Sequence, residues 1–408
     1  MGPLVATVFA AFAFWPQAGV LGQDLYFTNS VDLDPAAAAT LDPWCGRRTY
    51  DTHTGDDVVI RSFREAAIGV PVFSVTDGTV SEVQDGFYDW SYGTHTQPFD
   101  NHVDVTAPDG RIFVYGHLRH GLKLKRGVKV RTGQQLGWSG SSGNSSWPHL
   151  HFTEIVDGQI REAFAGACRA GTSDFALQLR PFRDAPYVRN LVVSPKPFRG
   201  EAQLPWDKAV RTGTFVAGTR DVWFRVELGE WVGGAELVQL VRPDGSVALE
   251  DASPAGVFDG VGAGYHGQAA YDFHERVRFD ALGTWRLRYS LDGKLLADAP
   301  LLVVARAQQA RNRAPNPVSV TLSVQGSAQC VVSTSLVTRD PDSDLVRYRY
   351  RWSAGGKVLR ALTSAALSDV LVRDAAKPGQ TLRCDVTPTD GKRPAKTASA
   401  AVQVPGAR

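Results

Sequence analysis

Four cysteines and a single methionine in 408 residues leave little room for a cysteine-rich metal cluster. No apolar run reaches the roughly 18–20 residues that cross a bilayer as a helix, so no transmembrane anchor is expected. Neither sign of charge dominates: 44 Lys and Arg stand against 42 Asp and Glu, for a net charge of +2. Such a chain has no global field for gripping nucleic acid, and no nucleic-acid partner is expected unless a local patch exists. Amphipathic helices are also scarce, and the stretch from Ala163 to Leu177 is the nearest to one. What remains is a globular composition, 43% hydrophobic and 21% charged. At about 100–200 residues per domain the length suggests two to four domains.

The N-terminus reads as a targeting segment. Leu4 to Trp15 is almost wholly apolar, and small residues follow up to Val20-Leu21-Gly22. The expectation is a signal peptide over residues 1–22, with export to a periplasm or the extracellular space. The region before the apolar core carries no Lys or Arg, and no cysteine follows it to take a lipid. An even number of cysteines in an exported chain favours disulfides. Cys45 and Cys168 flank one segment and Cys330 and Cys384 lie within another, so each pair is expected to bond internally.

Short β-prone runs separated by Asp-Gly turns dominate residues 40–182. Val70 to Val75, Thr76-Asp77-Gly78 and Thr79 to Val83 read as a hairpin, and Asn101 to Tyr115 repeats the pattern. Aromatics then alternate with other residues, as in Val222-Trp223-Phe224-Arg225-Val226, which argues half-buried antiparallel strands. Ala305 to Pro317 is polar and proline-ended, a linker signal. Beyond it, Cys330, Trp352 and Cys384 follow the order of an Ig-like sandwich, where a strand-borne tryptophan packs on an inter-sheet disulfide. Leu382 stands where a true immunoglobulin domain has tyrosine. The expected fold is mainly β: an antiparallel β-sheet domain over 23–182 that carries the histidine motifs, a β-sandwich over 183–305, a linker over 306–317 and an Ig-like β-sandwich over 318–408.

Four of the nine histidines form an informative set. His53 and Asp57 are four positions apart, Tyr115-Gly116-His117-Leu118 ends a β-like run, and His149-Leu150-His151 follows a Gly/Ser loop. Residues two apart in a strand share a face, so His149 and His151 project into one groove. Each element alone is as compatible with structural histidines; together they favour a metal site. Two imidazoles and a carboxylate form a set that binds zinc and leaves a fourth position for water. His95, His102, His120, His266 and His274 fit no such pattern and read as structural or surface residues, with His102 nearest the set.

Residues 53–155 resemble the lysostaphin/LytM-type zinc metallopeptidases, which cut peptide crosslinks of bacterial peptidoglycan. The resemblance rests on His53…Gly55…Asp57, on Tyr115-Gly116-His117-Leu118, and on Gly140-Ser141-Ser142-Gly143 leading to Pro148-His149-Leu150-His151-Phe152. Gly127 to Gly137 and Asp77-Gly78-Thr79-Val80 add a turn and a hairpin of that family's kind. It implies one zinc per chain on His53, Asp57 and His151. It also implies that His117 and His149 are catalytic, one as general base and the other stabilising the oxyanion, with His149 favoured as base. The implied substrate is peptidoglycan or a related peptide. The alternative is a non-catalytic peptidoglycan-binding or hydrolase-activating protein on the same fold.

Two departures from the family pattern stand out. Gln84 to Asp100 is a long insertion carrying Trp90, expected as a groove wall or lid, and Trp147 occupies a usually small position. The alternating carboxylates Asp340, Asp342 and Asp344 raise the expectation of a Ca2+ site, against a solvated turn. With all reactive groups before residue 155, residues 23–182 are expected to fold and act alone.

Overall fold

The structure, a computed structural model, describes residues 12–93, 96–175, 182–197, 212–231, 233–257, 269–309, 311–325, 327–335 and 337–405. Its strands fall into a peptidase-like body and two sandwiches.

The first body contains β1 (Leu25–Asn29), β2 (Asp56–Ile60), α1 (Phe63–Ile68), β3 (Pro71–Phe73), β4 (Gly78–Gln84), β5 (His102–Thr106), β6 (Ile112–Gly116), β7 (Lys129–Val130), β8 (Gln135–Trp138), β9 (His149–Val156) and β10 (Gln159–Arg161). Eight of these strands form one sheet in the order β1-β2-β9-β6-β5-β4-β7, with β10 on β9, and β3 pairs separately with β8. The two-residue period of β9 divides it: Leu150 and Phe152 enter the apolar core, while His149, His151 and Thr153 take the other face. Helix α1 starts where the Ser62 hydroxyl accepts the Glu65 N–H and ends at Gly69, whose φ of 118° suits glycine.

Residues 12–22 lie within the expected leader, yet they are built into this core. Phe14 and Trp15 are buried, Phe73 N–H donates to Pro16 O, and Ala18 N–H to Pro71 O. Residues 16–18 thereby add an edge to the β3–β8 pair, and removal at Gly22 would empty that side of the core. The apolarity that reads as a leader serves here as core; residues 1–11 lie outside the described residues.

The second body comprises β11 (Tyr187–Ser194), β12 (Thr214–Val216), β13 (Asp221–Gly229), β14 (Gly233–Val241), β15 (Val247–Val257), β16 (Ala269–Arg276), β17 (Gly283–Leu291) and β18 (Lys294–Val304). Sheets β11-β13-β16 and β12-β18-β17-β14-β15 face each other across Phe224, Trp285, Leu287 and Tyr289. The third comprises β19 (Ser319–Gln325), β20 (Ser327–Ser333), β21 (Arg347–Ala354), β22 (Lys357–Ser364), β23 (Ser368–Leu371), β24 (Thr381–Thr389) and β25 (Ala398–Gln403). Its sheets are β19-β20-β23 and β22-β21-β24-β25. Cys330 on β20 bonds Cys384 on β24 and so ties the two sheets, and Trp352 lies directly opposite Cys384 in register. The other disulfide joins Cys45 to Cys168, as expected from the sequence.

The stretch expected as a linker is anchored. Arg313 bonds the Asp342 carboxylate and Pro341 O, and Asn312 bonds Asp390. This also corrects the calcium expectation. Asp342 is neutralised by Arg313, Asp344 by Lys392 at 2.9 Å, and Asp340 Oδ1 accepts the N–H groups of Asp342 and Asp344. Among the described residues these three do not form a converging ligand cluster; the alternation serves a turn and its ion pairs.

Candidate metal centre

Register brings the residues together. Asp57 on β2 lies opposite His151 on β9, and Gly116 at the end of β6 lies opposite His151 from the other side. Facing residues of an antiparallel pair share one side of the sheet, so Asp57 and His151 meet without any loop to aim them. His53 enters from the preceding turn, where Thr52 sits at a φ of 63°. The ligand atoms available on His53, Asp57 and His151 all lie within 4.8 Å of one another. His53 Nε2 is 3.2 Å from Asp57 Oδ2, and His151 Nδ1 is 2.9 Å from Asp57 Oδ1.

The donor set fits a divalent cation. His53 Nδ1 is 2.6 Å from Ser30 O, a contact that only an N–H can make, so Nε2 keeps its lone pair toward the centre. The His151 ring is oriented the other way: Thr153 Oγ1 lies 3.1 Å from Nε2, which leaves Nδ1 for the centre. Asn29 donates to Asp57 Oδ2 at 3.1 Å. Glycine at position 55 is dictated by the same ligand, since a Cβ there would stand 2.7 Å from His151 Nε2 and from Phe152 O. Burial by itself would raise the Asp57 carboxyl, but the His53 and His149 imidazoles and the bonds from His149 and His151 hold it well below the carboxylate range.

His117 and His149 flank this centre with ring centroids 4.5 Å apart. Both present Nε2 inward for the same reason as His53. His117 Nδ1 is 2.7 Å from Ser142 O, and His149 Nδ1 is 2.7 Å from Trp147 O. His149 Nε2 lies 3.4 Å from Asp57 Oδ1. Burial, then the charges of His149 and His151, push His117 down to about 3. The residues border a groove of about 240 Å³, with Asn29, Tyr50, Gly93 and Trp147 in its walls.

Two groups escaped the sequence reading. Asp100 Oδ2 accepts the His117 N–H at 3.1 Å, at a residue with a φ of 56°, and its Oδ1 meets His102 Nδ1 at 3.0 Å. His102 thus reaches the site only through Asp100, which holds the backbone under His117. Tyr50 stacks over His53 at 4.3 Å between centroids. The signal for Asp100 was its place at the end of the long insertion. That insertion is a wall: Asp85 caps Gly121 and Leu122 N–H, Asp89 takes His120 N–H, and Trp90 packs on Phe63. Trp147 Nε1 donates to Ile60 O and the ring packs edge-on against Phe63, so this tryptophan is fixed in the groove wall. His274 is remote, stacked on Trp223, and His95 and His266 lie outside the described residues.

Comparison with known proteins meets this geometry. The sequence profile of peptidase family M23 matches residues 53–161. Glycyl-glycine endopeptidase ALE-1 of Staphylococcus capitis is 34% identical over 91 residues, 22% of this chain and 22% of that protein. Peptidoglycan DD-endopeptidase ShyC of Vibrio cholerae is 30% identical over 106 residues, 26% of this chain and 21% of its own. Among solved structures, the catalytic domain of the antimicrobial peptidase lysostaphin from Staphylococcus simulans is 26% identical, covering 28% of this chain and 76% of that one, with a TM-score of 0.21. The chain spans about a fifth of the length of the curated relatives it matches. The chain therefore carries a peptidase family M23 domain at residues 53–161, with lysostaphin/LytM-type relatives.

Proposed function

We propose that this protein is an exported zinc-dependent endopeptidase that hydrolyses peptide crosslinks of bacterial peptidoglycan. The observation that carries the reading is the convergence of His53, Asp57 and His151 within 4.8 Å beneath two further imidazoles whose Nε2 atoms face the groove. The names of the relatives, a glycyl-glycine and a peptidoglycan endopeptidase, support the substrate class. Two disulfides support an oxidising compartment.

His53 Nε2, Asp57 and His151 Nδ1 would hold one zinc per chain. When bound, zinc supplies a Lewis acid that makes water nucleophilic near neutral pH and polarises a carbonyl. His149 is assigned the proton-accepting role: its Nδ1–H is committed to Trp147 O, which leaves the Nε2 lone pair facing the groove, 3.4 Å from Asp57 Oδ1. His117 faces it with Nδ1–H spent on Ser142 O, so in the neutral ring Nε2 is an acceptor suited to orienting a water, and the oxyanion role that the resemblance implies for it would need a protonated ring. Trp147 and Tyr50 wall the groove and restrict the peptide it admits.

Metal content and turnover of single variants test the reading. His151→Ala is expected to lose zinc. His117→Ala and His149→Ala are expected to keep it and to lose about 10²–10⁴ in rate on a crosslinked peptide. Full zinc in His151→Ala would break the ligand assignment. A zinc-loaded parent that cuts no crosslink would leave the non-catalytic alternative.

A further inference from the structure

The C-terminal sandwich exposes one face of its β22-β21-β24-β25 sheet along β21. On β21 the side chains alternate, with Tyr348, Tyr350 and Trp352 buried and Arg347, Arg349 and Arg351 exposed. Alternate residues on a strand stand about 6.8 Å apart, so the three arginines rise in a row from one face of the sheet. Cross-strand neighbours of the row are short: Arg349 lies between Thr363 and Thr387, and Arg351 between Ala361 and Asp385. Long cations over small residues make a trough, and a concavity of about 840 Å³ opens there. Arg383, Thr397 and Ser399 complete its floor.

Its charge is unbalanced. Asp385 is the one carboxylate lining the trough. It is taken at 2.7 Å by Arg383 and reached by Arg351 at 3.7 Å. Arg383 also donates to Ser399, while among the described residues Arg349 has no ion pair or side-chain hydrogen bond. Three arginines against one aspartate line the trough and concentrate a charge of +2 there, in a chain whose total is also +2.

We infer that this face is a binding site for an acidic polysaccharide, a strand bearing carboxylates on its repeats. Guanidinium forks match carboxylates in pairs, and the hydroxyls of Thr363, Thr387, Thr397 and Ser399 suit sugar hydroxyls. Nucleic acid fits less well, because single strands are held by stacking on exposed aromatics and the trough's one aromatic, Tyr350, is buried. The choice of an envelope glycan as occupant rests on the proposed function; the anion site itself does not.

The test uses the full chain with polyglucuronate, neutral dextran of equal length and oligothymidylate as probes. The parent is expected to bind polyglucuronate and not dextran, with affinity falling as salt rises. R349E/R351E is expected to bind at least about tenfold more weakly, and R349K/R351K to retain part of the affinity, since a point cation keeps the attraction but loses the fork. Zinc content and cleavage of a short soluble crosslinked peptide should be unchanged in both variants. Parental affinity in R349E/R351E, or no binding by the parent, overturns the inference. Tighter binding to oligothymidylate, lost in the same variant, overturns the class of occupant. Failed binding with peptide cleavage intact strikes this inference alone, and failed cleavage with binding intact strikes only the peptidase reading.

Discussion

The two sandwiches are built alike and attached differently. The C-terminal one shares a core with the peptidase domain: Ala365, Ala366 and Val370 belong to the same buried cluster as Phe73, Val72 and Leu136. Backbone bonds cross the junction, from Ala365 N–H to Gly69 O and from Arg373 N–H to Thr132 O. Asp24 accepts Leu367 N–H, and the Ser368 hydroxyl both accepts from Gly19 N–H and donates to Gly19 O. The middle sandwich meets the peptidase through a small patch of Tyr26, Val59 and Tyr187, the Arg48–Glu230 pair and Arg189 over Tyr26. A shared core couples the stability of two bodies, whereas a small apolar patch with one ion pair resembles a separable domain contact. Sequence order misleads here, since the module farther along the chain is the one fused to the site-bearing domain.

The largest effect should come from breaking the shared core. Val370 is 1% exposed among apolar neighbours, so Val370→Asp buries a charge without a partner. A cost of at least about 4 kcal/mol is expected. Calorimetry should show the peptidase and C-terminal bodies losing stability together, with zinc released at the lower temperature. A peptidase transition that stays in place would show the junction to be superficial. The same coupling predicts that residues 23–182 alone fold poorly, because they lack Phe14, Trp15 and the Val370 face.

What could be read from the sequence follows from how local the determinants are. The grouping of His53, Asp57 and His151 could be anticipated because His149 and His151 stand two apart and the motifs follow a family pattern; the register that sets Asp57 opposite His151 is seen only in the sheet. The Cys330–Cys384 disulfide and the Trp352 position were legible as an ordered pattern within one sandwich, and Cys45–Cys168 as the pair that flanks the first domain. Asp100 was not, because its role depends on a backbone N–H seventeen residues away at a left-handed position. An apolar run ending in small residues has one composition whether it leaves the chain or packs against β3, so the contacts of residues 12–22 were not readable from composition. The carboxylates at Asp340 to Asp344 misled because the cations that occupy them, Arg313 and Lys392, are distant in sequence.

A smaller effect is expected where the middle sandwich touches the peptidase. Arg48 Nη2 and Glu230 are 2.6 Å apart and mostly buried. Glu230→Ala leaves Arg48 bonded to Phe27 O at 3.0 Å, so the loss should be about 1.5–3 kcal/mol, the worth of a hydrogen bond to a charged group. Hydrogen exchange should quicken in β11 and β13 while the peptidase core keeps its protection. Equal loosening of β2 and β9 would mean that the two sandwiches are coupled to the site alike, and the contrast between them would fall.

The smallest effect lies in the polar rim of the C-terminal junction. Arg373 pairs with Asp77, and both are more than a third exposed, so solvent screens the pair and its worth is at most about 1 kcal/mol. Burial by itself would raise the Asp77 carboxyl, but the N–H and hydroxyl of Thr132, then Arg373 and Arg131, hold it below the usual range. A carboxyl lowered by folding adds stability that is fully present above its unfolded value of about 3.9 and is lost as pH falls through the folded value. Asp77→Asn keeps an oxygen for both Thr132 bonds and removes only the charge. The variant should therefore melt slightly below the parent at pH 7, and the gap should close as pH falls below about 4. In 1 M salt, where the Debye length is about 3 Å, the gap at pH 7 should also shrink. A gap that persists at acid pH and in high salt would assign the effect to the hydrogen bonds of the turn, leaving the shared apolar core as the whole basis of the coupling.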